Sequence, residues 1–99
     1  MTVFAAIADD TRRSILDLLI AQGGGTATAL AADVGVTRQA AAKHLAILAE
    51  AGLASSTKVG RETRFTPTPT GLAPVEAWVA STTAAWDQRL SALADHLEG

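Results

Sequence analysis

The chain has no cysteine and no tyrosine. Without cysteine there is no disulfide framework and no thiolate metal site. Charges interrupt every apolar run well before the ~18 residues that a membrane span would need. The start, MTVFAAIADDTRR, lacks a cationic segment followed by a long apolar one, so it does not read as a secretory signal. These absences predict a cytoplasmic protein with no membrane association. Catalytic patterns are missing too. The two histidines lie far apart, and Ser14, Ser55, Ser56, Ser81 and Ser91 show neither a base partner nor a nucleophile-elbow motif. The run Gly23-Gly24-Gly25 is followed by no Gly-Lys-Ser/Thr and has no G-x-G-x-x-G spacing, so it reads as a flexible turn and not as a phosphate loop. No enzyme activity, cofactor or metal is expected.

At 99 residues the chain predicts a single domain, 1–99. Its organising stretch is Thr28 to Leu53. Leu30 and Val34 stand at i, i+4 in a first short helix. Gly35 then breaks it, as the residue best suited to positive φ after a helix end. Thr37 is an N-cap for a second helix, with Ala41, Leu45 and Leu48 on one face and Arg38, Gln39, Ala42, Lys43 and Ala46 on the other. Gly52 is placed to end it. Two helices joined by a short glycine-containing turn, the second with a basic and amide-bearing start, form a helix-turn-helix over about 28–52.

Around this core, residues 3–8 predict a short apolar helix anchored by Phe4 and Ile7. Asp9 and Asp10 open a helix over about 11–21. Ile15, Leu16, Leu19 and Ile20 form its apolar stripe, widened by Leu18. Arg12, Arg13 and Asp17 fall on its wet side, with an Arg13–Asp17 pair at i, i+4. After the helix-turn-helix, Leu53 to Lys58 and Glu62 to Thr66 read as strands joined at Val59-Gly60-Arg61. This hairpin, about 53–67, is a wing with Lys58, Arg61 and Arg64 around its tip. A terminal helix follows over about 72–98, with Pro74 in its first turn. Its stripe of Leu72, Val75, Val79, Thr82, Trp86, Leu90, Leu93 and Leu97, widened by Trp78, is longer than one small domain's core can cover. A partner helix is the simplest use for the surplus.

The fold class is therefore mainly α with a β-hairpin wing, in the order α-α-α-α-β-β-α. Net charge is −2, which excludes a general basic coat. The distribution is uneven, however. Arg38, Lys43, Lys58, Arg61 and Arg64 face only Glu50 and Glu62 in the stretch from 38 to 64, a local net of +3. A DNA surface needs local charge, not global charge. Nearly half of the hydrophobic residues are alanine, so a monomer buries a modest core and dimerisation would add to it.

Taken together, Ala8-Asp9-Asp10-Thr11-Arg12-Arg13, Leu30-Ala31, the run Val36-Thr37-Arg38-Gln39-Ala40-Ala41-Ala42-Lys43-His44-Leu45 with Leu48, Glu50-Ala51-Gly52-Leu53, and Gly60-Arg61 with Arg64-Phe65 resemble the ArsR-type (ArsR/SmtB) winged helix-turn-helix regulators across nearly the whole chain. The resemblance implies a homodimer joined through the first and last helices. Here that points to Phe4, Val79, Trp86, Leu90, Leu93 and Leu97. It implies recognition helices in successive major grooves of a palindromic double-stranded DNA operator, and repression relieved by an inducer. By match, Thr37, Arg38, Gln39, Lys43 and His44 take the DNA-facing positions. The forks of Arg38 and Gln39 suit guanine and adenine edges, and Lys58, Arg61 and Arg64 suit phosphate or minor-groove contacts. Asp10 replaces a common proline, and Ala42 stands where the family commonly has serine. No cysteine occupies the first helix of the pair, and the last helix has a single His96. The chain thus resembles the branch without metal ligands, and its inducer would be a small molecule or a protein. Trp78 is left open between a ligand pocket and the core. The competing reading is a protein-interaction module that keeps the fold without binding DNA. The basic wing argues against it.

Overall fold

The computed structural model describes residues 1–98. Five helices and three strands follow in the order α1 (Val3–Ile7), α2 (Asp10–Gln22), β1 (Gly25–Thr26), α3 (Ala27–Val34), α4 (Arg38–Glu50), β2 (Ala54–Val59), β3 (Glu62–Pro67) and α5 (Ala73–Glu98). A 3-10 turn, Pro69–Leu72, leads into α5.

Local signals explain the boundaries. Asp9, Thr26 and Thr37 each lie in extended backbone and accept from the N–H three residues on, which caps α2, α3 and α4. Glycines close the same helices. Gly23, Gly35 and Gly52 are left-handed, at φ 74°, 83° and 82°. The residues after them, Gly24, Val36 and Leu53, donate back to the carbonyls of Leu19, Ala31 and Leu48 at 2.9–3.1 Å. The helix-turn-helix is thus closed at both ends by side-chain and glycine caps.

The buried core draws on α1, α2, α3, α4, β2 and β3, with Val75 of α5 packed against its edge. Ile15, Leu19, Leu30, Leu45, Leu48 and Leu53 are fully buried, and Phe65 brings β3 onto them. Four expectations fail here. In α1 the buried residues are Val3 and Ala6, while Phe4 stays 43% exposed and Ile7 half-buried. A five-residue helix buries one narrow edge, and that edge falls at i, i+3 from Val3. Ile20 is 51% exposed, so the buried stripe of α2 stops at Ile15, Leu16 and Leu19. Arg12 lies at 8% exposure and not on the wet side. Its neighbour Arg13 pairs with Asp10 at 2.7 Å instead of with Asp17.

The glycine run is also more than a turn. Gly25 and Thr26 pair antiparallel with Phe65 and Arg64, giving a three-stranded sheet in the order β1-β3-β2. Gly24 must be glycine: at φ 140° a Cβ would come within 2.9 Å of the Phe65 carbonyl oxygen. β2 and β3 form the wing, in register from Ala54↔Pro67 to Val59↔Glu62. Their two-residue turn has Gly60 first, at φ 64°, while Arg61 keeps negative φ. Side chains alternate along β3, so Phe65 is buried and Arg64 faces away.

α5 has 26 residues, about 39 Å at 1.5 Å per residue, and none of them is buried. Only its start touches the domain, through half-buried Val75 beside Leu72 and through Trp78, which meets Phe4 edge-on at 6.3 Å. The molecule therefore measures 69 × 24 × 23 Å, with a radius of gyration of 18.4 Å. A compact chain of this length would have about 13 Å. No helix among the described residues is long and apolar enough to cross a membrane.

Candidate nucleic-acid interface

α4 turns Ala41, Leu45 and Leu48 into the core. The helical repeat then places Arg38, Gln39, Ala42 and Lys43 outside, and all four are exposed. Thr37 is exposed as well, with its oxygen 3.1 Å from the Ala40 N–H that it caps. Arg38 does not swing freely. Its Nε donates to Thr28 Oγ1 on α3 at 3.2 Å, which leaves the outer two nitrogens of the fork unused. Thr28 is a site residue that sequence reading missed. Its one signal is its place in the first turn of the helix packed against the recognition helix.

Between this helix start and the wing lies a groove of about 300 Å³, lined by Thr26, Thr28, Arg38, Lys58, Arg61 and Glu62, with Ala42, Thr63 and Phe65 among its other walls. Three of the expected cations thus share one groove with a single carboxylate. Among the described residues, the ion pairs are those of Arg13 and of the N-terminus with Glu50, so the groove cations are uncommitted. Their field is free to act on an outside anion.

Gln39 and Lys43 lie beside the groove on the exposed face of α4. Arg64 lies elsewhere. It pairs with Thr57, three residues from the turn, and its guanidinium rests over Gly24, where a Cβ would sit 3.4 Å from it. Arg64 is therefore at the root of the wing and not around its tip. His44 is half-buried and turned inward, with Nδ1 3.4 Å from an Arg12 guanidinium nitrogen. That donor suits a ring carrying its proton on Nε2. Asp9 completes this corner. The Arg12 backbone N–H that it accepts holds its carboxyl below the usual carboxylate value against partial desolvation, and the positive charge of Arg12 acts the same way.

Among the described residues, no three His, Cys, Asp or Glu side chains gather as metal ligands. Shallow hollows on α5 are lined by Thr82, Ala85, Trp86 and Arg89 and, further on, by Arg89, Ala92, Leu93 and His96. Trp78 packs against Phe4 and lines neither hollow.

Residues 7–57 match the model of a helix-turn-helix domain family. The chain is 42% identical over 65 residues to YuzN, an uncharacterised HTH-type transcriptional regulator of Bacillus subtilis (strain 168); the match spans 60% of this chain and 71% of that one. Among solved structures it is similar to an ArsR-like transcriptional regulator from Rhodococcus sp. RHA1, with a TM-score of 0.75 and 42% identity over 92% of this chain and 85% of that one. It is also similar to the homodimeric winged helix-turn-helix DNA-binding domain of a possible ArsR-family regulator from Mycobacterium bovis. That match has a TM-score of 0.65 and 29% identity over 83% of this chain and 75% of the other.

Proposed function

The chain belongs to the ArsR family of winged helix-turn-helix transcriptional regulators, and from that membership we propose that it acts as a homodimeric repressor on a palindromic operator. The carrying observation is the groove that gathers Arg38, Lys58 and Arg61 between recognition helix and wing in a chain of net charge −2. Arg38, held at Nε by Thr28, keeps its fork free for a guanine edge, and Gln39 beside it suits adenine. Lys43, Lys58 and Arg61 hold phosphates, as does Arg64 at the wing root. His44 faces Arg12 through Nδ1, which leaves Nε2 as its one nitrogen for an outside contact. The exposed stripe of α5 supports dimerisation, with Phe4 at its start, and the Mycobacterium bovis relative is a homodimer. Two recognition helices would then meet half-sites about one helical turn apart.

The releasing signal is not a metal. Zinc takes about four N, S or O donors in fixed geometry, whereas the chain has no cysteine and α5 has one histidine, His96. A small molecule or a protein fits the remaining surface.

A salt titration of operator binding by anisotropy tests this. If Lys43, Lys58, Arg61 and Arg64 each neutralise one phosphate, a dimer neutralises about eight and log K falls against log salt with a slope of about −7. Arg61→Ala should weaken binding to all sequences alike and flatten that slope by roughly two units per dimer. Arg38→Ala should cost about 1–3 kcal/mol per half-site and relax preference at one base position. Unchanged binding in both variants would remove this surface and favour a protein-interaction module.

A further inference from the structure

We infer that Arg12 is a positioning residue for the recognition helix. Its guanidinium ties the end of α1 to His44 and thereby sets how α4 is presented to DNA. This rests on the reading of α4 as the DNA-facing helix.

Arg12 is a charged side chain buried at 8% exposure, with no carboxylate within ion-pair distance among the described residues. Burying a cation in that way is costly unless its donors are engaged. They are. Nε donates to the Ala6 carbonyl at 2.6 Å, one terminal nitrogen donates to the Ala5 carbonyl at 3.5 Å, and the other faces His44 Nδ1 at 3.4 Å. Two of these partners belong to the last turn of α1, where a cation is favoured; the Ala5 carbonyl is shared with the Ala8 N–H at 3.3 Å. The third is on α4. A planar fork with several fixed donors makes such a three-way bracket; a lysine ammonium does not.

The rest of the α4 interface gives the bracket its importance. Its buried side is Ala41, Leu45 and Leu48. Apolar contacts are non-directional, and an alanine against the core resists rotation weakly. The Arg12–His44 contact is directional, and His44 directly follows Lys43. On the other side, α1 carries Phe4, which packs edge-on against Trp78 of α5. One side chain therefore links the short helix that touches α5 to the helix that reads DNA.

The alternative is that Arg12 only staples α1. Two measurements separate these roles. The probe is a duplex selected from a random pool by the wild-type protein, with affinity read by anisotropy at fixed salt. Arg12→Lys should weaken binding about tenfold, but less than about twofold when His44→Ala is already present, since contacting residues are non-additive. Equal weakening in both backgrounds, or none, overturns the inference. The second measurement uses the wild-type protein with 15N-labelled histidine and needs no variant to fold. His44 should show a proton on Nε2 and an unprotonated Nδ1 that accepts a hydrogen bond; a proton on Nδ1 in the neutral ring overturns the inference. If instead Arg38→Ala and Arg61→Ala leave binding untouched, the DNA-facing reading of α4 has failed, and the histidine spectrum still reports on the bracket.

Discussion

Trp86→Glu should turn a dimer into a monomer without unfolding the domain. Trp86 is 64% exposed, and Leu90 and Leu93 on the same stripe are 55% and 54% exposed. A tryptophan side chain brings about 200 Å² of surface. Covering the open share removes about 130 Å² from water, roughly 3 kcal/mol at 25 cal/mol per Å². Twofold symmetry doubles this to about 6 kcal/mol per dimer. Association and side-chain ordering consume part of it. If half survives, about 3 kcal/mol remains, or about two powers of ten in the dissociation constant. A carboxylate in the same place adds its own desolvation cost. Sedimentation velocity across micromolar concentrations should show a dimer for the wild type and a monomer for the variant. Helical circular dichroism should stay nearly unchanged, because no residue of α5 contributes to the buried core. A wild type that sediments as a folded monomer, or a variant that dimerises as well as the wild type, would refute the reasoning.

Two further outcomes concern the scaffold. Gly71→Ala should lower stability by about 2–3 kcal/mol in thermal melts, because its methyl would overlap the Gly52 carbonyl oxygen and press on Leu53 at 3.2 Å. Asp9 has its folded pKa lowered from 3.8, so the stability it supplies is complete above the ordinary carboxylate range and is lost as pH falls through the lowered value. Asp9→Asn keeps a capping oxygen, so melts from about pH 6 to 3 should lose less stability with acid than the wild type; parallel curves would contradict this.

The elements that could be read in advance were those written in local chemistry. Thr37, Gly35 and Gly52 mark the helix-turn-helix through caps that act within six residues. Gly60 marks the hairpin turn, and the 3-4 spacing marks α5. The failures share one cause, which is packing between distant segments. Arg12 looks solvated within α2, since nothing there shows that the carbonyls of α1 and His44, 32 residues on, will enclose it. Gly25 and Thr26 look like loop because their strand exists only through pairing with Phe65 and Arg64. Its sequence distance from Gly60 puts Arg64 near the tip, but the pleat and β1 carry it back over Gly24. The groove itself was half legible. Its cations stood out by charge, whereas Thr28 gave no such signal.

The pairing of β1 constrains where a chain like this can change length. Three consecutive glycines would ordinarily mark a joint that accepts extra residues at little entropic cost. Here one residue added before Gly25 has to be absorbed between the cap that ends α2 and a fixed partner, Phe65. Sliding β1 by one position instead would exchange the two faces of the strand. The joint is flexible in composition and rigid in length. Tolerance for insertion belongs instead at the far end of the sheet, between Val59 and Glu62, where nothing lies within 4 Å of a Cβ at Gly60.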